Sequence, residues 1–135
     1  MSAAAFRAAV ESGDPDAAAD LFAPDAVFHS PVVHAPYAGR EALRRILRAV
    51  TVVFEDFRYT AEYAGEHGHV LEFACRVGDR DLQGVDILRG DILRGDGLRG
   101  DGLLTELTVL VRPYSAATAL RTRMAELLTG GTAPG

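Results

Sequence analysis

The sequence predicts one α+β domain, and three observations lead to this prediction. The chain has 135 residues, which is the size of one ordinary domain. Apolar residues recur at helical spacing early in the chain, whereas apolar and polar residues alternate in its second half, as they do in half-buried strands. Helices that precede a run of strands, instead of alternating with them, favour an α+β fold.

Two short helices are predicted near the N-terminus. The alanine-rich segment 3–11 is typical of a first helix, and Gly13 is well placed to end it. Asp14 provides an N-cap for a second helix, which we expect to stop at Pro24. Residues 25–30 are then predicted to form a short strand.

The third helix has the clearest helical pattern. It follows residues 31–39, which contain prolines and a glycine and are predicted to form a loop. Its apolar residues recur at positions i, i+3, i+4 and i+7. These residues are Leu43, Ile46, Leu47 and Val50.

Four strands are predicted after the third helix. The first begins at Phe57, and the others span residues 69–77, 80–89 and 103–112. A tight turn at Gly78 and the other short connections predict an antiparallel meander. A last helix, which Ser115 can cap, is expected to follow.

A tandem repeat interrupts the last predicted hairpin. Residues 86–105 read as the units DILRG, DILRG, DGLRG and DGLLT, and removal of residues 91–100 would restore an ordinary hairpin with an Asp-Gly turn. A period of five fits neither a strand nor a helix, so we expect a protruding, mobile loop. The sequence thus predicts one domain over residues 1–128, with this insertion, and a flexible tail over residues 129–135.

Composition and charge exclude several classes of protein. The net charge of -5 disfavours partners such as nucleic acid or anionic membranes, which select basic surfaces. Charged residues interrupt every apolar stretch, and the N-terminus has no leader pattern, so we expect a cytoplasmic protein. The single cysteine, Cys75, cannot form an intrachain disulfide. No set of residues has convincing ligand spacing, so we expect no metal and no cofactor.

Several phrases and the order of elements resemble the nuclear transport factor 2-like superfamily, particularly its SnoaL-like branch. The phrases are SGDPDAAADLFAPDAVFHSP, YAGREAL, LQGVDIL and GLLTELTVLVRP, within residues 5–128. The resemblance implies a cone-shaped fold, in which N-terminal helices pack on the concave face of a curved antiparallel β-sheet and a C-terminal helix follows. It also implies a small hydrophobic ligand and a homodimer formed through the outer sheet face, which carries Glu72, Ala74 and Arg76. The superfamily includes ketosteroid isomerases, polyketide cyclases, dehydratases and noncatalytic members, so the fold alone does not give the function.

Asp86 is the best candidate for a functional residue. Alternation places it on one strand face with Leu82, Gly84 and Leu88, and apolar neighbours favour a neutral carboxyl group that can act as an acid or a base. The resemblance places it where ketosteroid isomerases have a protonated aspartic acid. The alternatives are that Asp86 faces solvent or caps the amides of the following loop.

Other positions depart from the isomerase pattern. Ser30 stands where those enzymes have their general-base aspartate, and Phe6 stands where they have a tyrosine that donates a hydrogen bond. The isomerase mechanism itself is therefore not expected. The Asp-Arg-Asp relay of the family's epoxide hydrolases cannot be placed either.

Two histidines are the candidate bases beside Asp86. His69 shares strand parity with Leu71 and Phe73 and is expected to approach Asp86, whereas His34 lies in the loop that could form the pocket rim. The alternative for His69 is a strand-end position in water. Tyr59 and Tyr63 can direct their hydroxyl groups to the pocket or to a dimer interface, and the alternative, which is favoured, is that both serve only as packing residues. The predicted pocket wall consists of Phe6, Phe28, Ser30, Tyr63, Leu71, Phe73, Cys75, Leu82, Gly84, Leu107, Val109 and Val111.

Three functions remain open from these residues. The first is an enzyme that cyclises, dehydrates or isomerises a polyketide- or terpenoid-like molecule, with Asp86, His69 and His34 as acid and base. The second is a noncatalytic dimeric module that binds a ligand or a partner. The third is a partner-binding role of the repeat insertion.

Overall fold

A computed structural model describes residues 2–90 and 102–128 of the chain. The predictions for the insertion, residues 91–100, and for the tail, residues 129–135, lie outside the described residues. The helices are α1 (Ser2–Glu11), α2 (Pro15–Ala19), α3 (Arg40–Val53) and α4 (Tyr114–Leu128). The strands are β1 (Phe22–His29), β2 (Tyr37–Ala38), β3 (Glu55–Gly65), β4 (Gly68–Val77), β5 (Arg80–Gly90) and β6 (Leu104–Arg112).

The six strands form one curved sheet in the order β2-β1-β6-β5-β4-β3. Strands β3 to β6 form the predicted antiparallel meander. Strand β1 pairs with β6 in parallel, which makes the sheet mixed and not wholly antiparallel. The α+β class predicted from the sequence is confirmed.

The N-terminal segment follows the predicted helix signals but not the predicted strand boundary. Gly13 has a φ of 72° after α1, and the Asp14 side chain accepts a hydrogen bond from the amide of Ala17. Helix α2 ends at Ala19, however, and Pro24 lies inside β1. The register of β1 on β6 shifts in this stretch, between Phe22 and Val27. Such an irregularity tolerates a residue that has no N–H to donate.

Helix α3 covers the inner face of the sheet with the apolar stripe predicted for it. Leu43, Ile46 and Leu47 are buried, and Val50 packs at the edge of the core. The helix follows Gly39, which has a φ of 98°. The preceding loop contains the short strand β2, which the sequence did not indicate. Ser115 lies in the first turn of α4 and not before it.

A β-bulge in β3 changes the face on which its later residues lie. Tyr59 pairs with Phe73 on the inner face, but the register shifts between Tyr59 and Ala61. Tyr63 consequently pairs with Val70 on the convex face and is 55% exposed. The expectation that Tyr63 lines the pocket is therefore wrong.

The core lies between the helices and the inner face of the sheet. Alternate residues of β4 supply one row of it, and all of these residues are buried: His69, Leu71, Phe73, Cys75 and Val77. No helix in the described part of the chain is long and apolar enough to cross a membrane.

Candidate functional site

A cavity of about 560 Å³ lies between the helices and the inner face of the sheet. Its wall is mostly apolar, and its volume suits a small organic molecule. The four helices contribute one side, and strands β1, β3, β5 and β6 contribute the other. The main apolar residues of the wall are Phe6, Val10, Phe28, Ile46, Leu47, Val50, Phe54, Phe57, Leu107, Val109, Leu120 and Met124.

Asp86 is a buried acidic residue of this wall. It lies on β5 between Leu71 of β4 and Val109 of β6, and only 8% of it is exposed. The hydroxyl group of Tyr59 donates a hydrogen bond to its Oδ2 atom over 2.8 Å. Within residues 2–90 and 102–128, no other side chain hydrogen-bonds this carboxyl group.

The surroundings of Asp86 and Tyr59 favour the protonated form of both groups. Burial raises the pKa of Asp86 to about 7, although the hydrogen bond from Tyr59 acts in the opposite direction. Burial, followed by the nearby charge of Asp86, raises the pKa of Tyr59 far above its ordinary value. Tyr59 therefore remains a hydrogen-bond donor, while Asp86 can change its protonation state near neutral pH.

Neighbouring side chains hold Tyr59 in place. The ring of Phe57 meets the Tyr59 ring edge-on, with centroids 5.0 Å apart. The Arg7 guanidinium lies over the Tyr59 ring, 5.5 Å from its centroid. Arg7 is itself fixed by ion pairs with Glu62 at 2.8 Å and Glu11 at 3.2 Å.

The cavity wall includes some of the residues predicted for it and leaves others in the core. Phe6, Phe28, Ser30, Leu107 and Val109 line the cavity. The other predicted residues do not line it: Tyr63, Leu71, Phe73, Cys75, Leu82, Gly84 and Val111. A residue can lie on the inner face of the sheet without lining the cavity, because other side chains lie between it and the cavity. Phe54 and Phe57, for example, line the cavity and pack against Phe73.

The expected pairing of His69 with Asp86 is not formed. His69 lies on the inner face, as its parity predicted, and is 3% exposed. It is paired with Leu88, however, whereas Asp86 is paired with Leu71, one inward position further along the strand. Tyr59 occupies the place at the carboxyl group that was expected for His69. The Nδ1 atom of His69 has no hydrogen-bond partner within the described residues.

Among the residues that the structure describes, none is an acid or base partner at the cavity for the remaining candidates His34, Ser30 and Cys75. His34 is exposed and does not line the cavity, which corrects its expected place at the rim. The Oγ atom of Ser30 accepts hydrogen bonds from the amides of Val32 and Val33, at 3.1 and 3.2 Å. Burial raises the pKa of Cys75 to about 12, so its thiol group remains protonated. The described residues include no cluster of His, Cys, Asp and Glu that could hold a metal ion.

Sequence reasoning left the position of the Tyr59 hydroxyl open and missed most of the helical wall. Strand alternation placed Tyr59 on the face of Phe57, but it could not distinguish the pocket from an interface. The apolar stripe of α3 was recognised as a packing face, and the cavity shows that Ile46, Leu47 and Val50 face open space as well.

Comparisons with known proteins agree with this architecture. The family model of the SnoaL-like domain matches residues 3–94. A solved structure of a steroid delta-isomerase from Pseudomonas aeruginosa is 37% identical, with a TM-score of 0.84, over 96% of this chain and 90% of that chain. A protein with a cystatin-like fold from Silicibacter pomeroyi is 32% identical, with a TM-score of 0.79, over 91% of this chain and 82% of that chain.

More distant structures share the fold alone. One is a SnoaL-like polyketide cyclase, assigned as putative, from Shewanella denitrificans. It is 17% identical, with a TM-score of 0.62, over 90% of this chain and 95% of that chain. No curated protein matches the sequence.

Proposed function

Because the chain belongs to the SnoaL-like domain family, we propose that its cavity binds a small apolar molecule and that Asp86 acts as an acid on an oxygen atom of that molecule. The observation that carries this proposal is the carboxyl group of Asp86, buried in an apolar wall with Tyr59 as its hydrogen-bond partner. A neutral carboxyl group can donate a hydrogen bond to a carbonyl or hydroxyl oxygen at neutral pH. Such a donor suits the cyclisation, dehydration or isomerisation of a polyketide- or terpenoid-like molecule.

The chemistry follows from the charge that develops on the substrate oxygen. In an isomerisation, the proton of Asp86 stabilises the negative charge on a carbonyl oxygen as a neighbouring C–H bond breaks. In a dehydration, the same proton assists a departing hydroxyl group. Tyr59 keeps the carboxyl group oriented because its own proton is not lost in this pH range.

The similarity to a steroid delta-isomerase supports the ligand class more than the detailed mechanism. Ser30 occupies the expected base position, and a serine hydroxyl that already accepts two amide hydrogen bonds is a poor base. Phe6, at the other expected position, offers no donor. Asp86 holds its own proton while it donates to the substrate oxygen, so the proton released from the C–H bond would pass to a bound water, which can return it to another carbon of the substrate.

A noncatalytic ligand-binding module is the second candidate function. It is favoured by the positions of His34 and His69, since neither lines the cavity. The acidic residues Glu11 and Asp14 do line it, but both are exposed. Glu11 is paired with Arg7, and Asp14 caps α2.

The test compares two ligands that differ in one oxygen atom. 2-Acetylnaphthalene presents a carbonyl group to Asp86, whereas 2-ethylnaphthalene has a similar shape and no acceptor. We expect the ketone to bind about five- to tenfold more tightly, the size of one net hydrogen bond. Its affinity should fall as the pH rises above about 7, because Asp86 then loses the proton that it donates. The affinity of the hydrocarbon should change little with pH.

Variants of Asp86 separate this hydrogen bond from general apolar binding. Asp86→Leu should remove the preference for the ketone, while Asp81→Leu, at an exposed position of the same strand, should keep it. Equal affinity of the wild-type protein for both compounds would reject the role of Asp86. Conversion of a β,γ-unsaturated cyclic ketone to its conjugated isomer, lost in Asp86→Asn, would support the enzyme. Ketone binding without conversion would support the binding module.

We also propose that the chain forms a homodimer through the convex face of the sheet. Glu72, Ala74 and Arg76 lie on this face with Leu110, which is 54% exposed. Opposite charges and an exposed apolar residue on one face suit a self-complementary contact.

A further inference from the structure

Gly84 leaves a space in the sheet that an aromatic ring occupies. It is paired with Phe73 on the neighbouring strand. A Cβ atom at position 84 would lie 2.5 Å from the Cζ atom of Phe73 and 2.7 Å from the carbonyl oxygen of Leu110. Any side chain at this position would therefore displace the Phe73 ring.

The Phe73 ring supports a series of aromatic contacts that ends at Asp86. Phe57 stacks on Phe73, with centroids 4.9 Å apart and planes inclined by 28°. Phe57 in turn meets Tyr59 edge-on, at 5.0 Å and 88°. Tyr59 then donates its hydrogen bond to Asp86. Phe54 packs on both Phe57 and Phe73, which restricts their movement from the cavity side.

We propose that Gly84, Phe73 and Phe57 are positioning residues, which hold the Tyr59 hydroxyl group on the Asp86 carboxyl group. None of the three forms a hydrogen bond with Asp86, and Gly84 and Phe73 do not line the cavity. They act through the position and angle of the Tyr59 ring. Their functional importance rests on the proposed role of Asp86 in the cavity, but the contacts themselves can be tested without any ligand.

The test measures the ionisation of Asp86 by carboxyl-carbon NMR in Phe57→Leu, in Tyr59→Phe and in the double variant. Phe57→Leu should release the Tyr59 ring, so the Asp86 carboxylate loses its hydrogen bond and its pKa rises by about one unit. Tyr59→Phe should produce a similar rise. In the double variant, Phe57→Leu should add nothing further, because the hydroxyl group through which it acts is already absent.

Matched variants distinguish positioning from a general loss of packing. Phe22→Leu shortens another fully buried ring, which packs edge-on against Phe6 and not against Tyr59, and should leave the Asp86 pKa unchanged. Gly84→Ala should raise the Asp86 pKa in the same way, because its Cβ atom would displace the Phe73 ring. Phe73→Leu should reproduce this rise in a protein that keeps Gly84, so the result does not depend on whether Gly84→Ala folds. An unchanged or lowered pKa in Phe57→Leu, or the same shift with and without the Tyr59 hydroxyl, would overturn the proposal. Failure of the naphthyl ketone to bind would reject the proposed function but would leave this result standing.

Discussion

Asp86 is an ionisable side chain in a position that water scarcely reaches, and this couples folding to pH. Its pKa is ordinary, near 3.8, in an unfolded chain and is raised to about 7 by burial in the folded protein. The folded state therefore binds more protons between these two values. The stabilisation associated with the protonated group is complete below about pH 4 and is lost as the pH rises to about 7. At about 1.4 kcal/mol per pKa unit, the loss is at most about 4 kcal/mol.

Asp86→Asn should remove this dependence on pH. The amide cannot ionise, yet its oxygen can still accept the hydrogen bond from Tyr59. In urea unfolding, we expect the variant to be more stable than the wild-type protein by a few kcal/mol at pH 8. The two proteins should differ by about 1 kcal/mol or less at pH 4.5. Asp81→Asn, at an exposed site, provides the control. A stability difference that stays constant from pH 4.5 to pH 8 would contradict the raised pKa of Asp86.

At the scale of single residues, strand alternation predicted on which face of the sheet a residue lies. It was less successful in predicting which other residues that side chain contacts. The alternation around Asp86 correctly indicated an inward position, because β5 pairs with β4 without a register shift. The same reasoning failed for Tyr63, since the bulge in β3 reverses the later positions. It also placed His69 on the correct face but could not show that Tyr59, from another strand, reaches Asp86 first.

At the scale of elements, the β5–β6 hairpin explains how the chain can accommodate its repeat. The ladder between the two strands continues to the pair of Gly90 and Leu104, so the intervening residues connect adjacent strand ends. Without residues 91–100, the connection would consist of Asp101, Gly102 and Leu103. Gly102 has a φ of 74°, a conformation that three-residue hairpin loops commonly require.

Deletion of residues 91–100 should therefore leave the fold intact. We expect the melting temperature to be unchanged or slightly raised, since a shorter loop reduces the entropy cost of closure by about 1 kcal/mol. In a second variant, a Gly/Ser segment of equal length replaces the same residues. This variant separates the effect of the repeat's sequence on stability from the effect of its length. Thermal unfolding followed by circular dichroism provides the measurement. A large loss of stability in both variants would mean that the repeat contributes contacts to the folded domain.

The order of elements was predictable because each long element has its own hydrophobic period. The stripe of α3 and the alternation in β4 and β5 are local signals, and the structure contains these elements close to their expected limits. The parallel pairing of β1 with β6 carries no local signal, because the two strands are joined through most of the chain. The predicted helix end at Pro24 was wrong for a related reason, since a proline can either end a helix or occupy an irregular strand.

At the scale of the whole molecule, the cavity depends on the distance between layers, which no local pattern encodes. The apolar residues of α3 and α4 would look the same in a sequence if they packed directly on the sheet. Curvature of the sheet leaves part of this surface uncovered, so residues such as Leu47 and Met124 are both packing residues and wall residues. The sequence therefore predicted the residues of the core more completely than the residues that line the cavity.

The convex face of the sheet gives the last prediction, which concerns assembly. Leu110 of β6 lies there opposite Val85 of β5, and Val85 is in turn paired with Glu72 of β4. In a two-fold contact the same patch meets itself, so a charge introduced at its centre is repeated on the partner and buried against its own copy. We expect light scattering to give twice 14.4 kDa for the wild-type protein and 14.4 kDa for Leu110→Arg, with unchanged circular dichroism.

Val52→Arg is the matched control for this assembly. Val52 is 63% exposed, but it lies on α3, on the helical side of the molecule. The same charge added there should leave the dimer intact. A wild-type mass of one chain at micromolar concentration would contradict the dimer. If Val52→Arg dissociated the dimer and Leu110→Arg did not, the contact would instead lie on the helices. Because the helices also form one wall of the cavity, assembly and ligand binding would then share a surface.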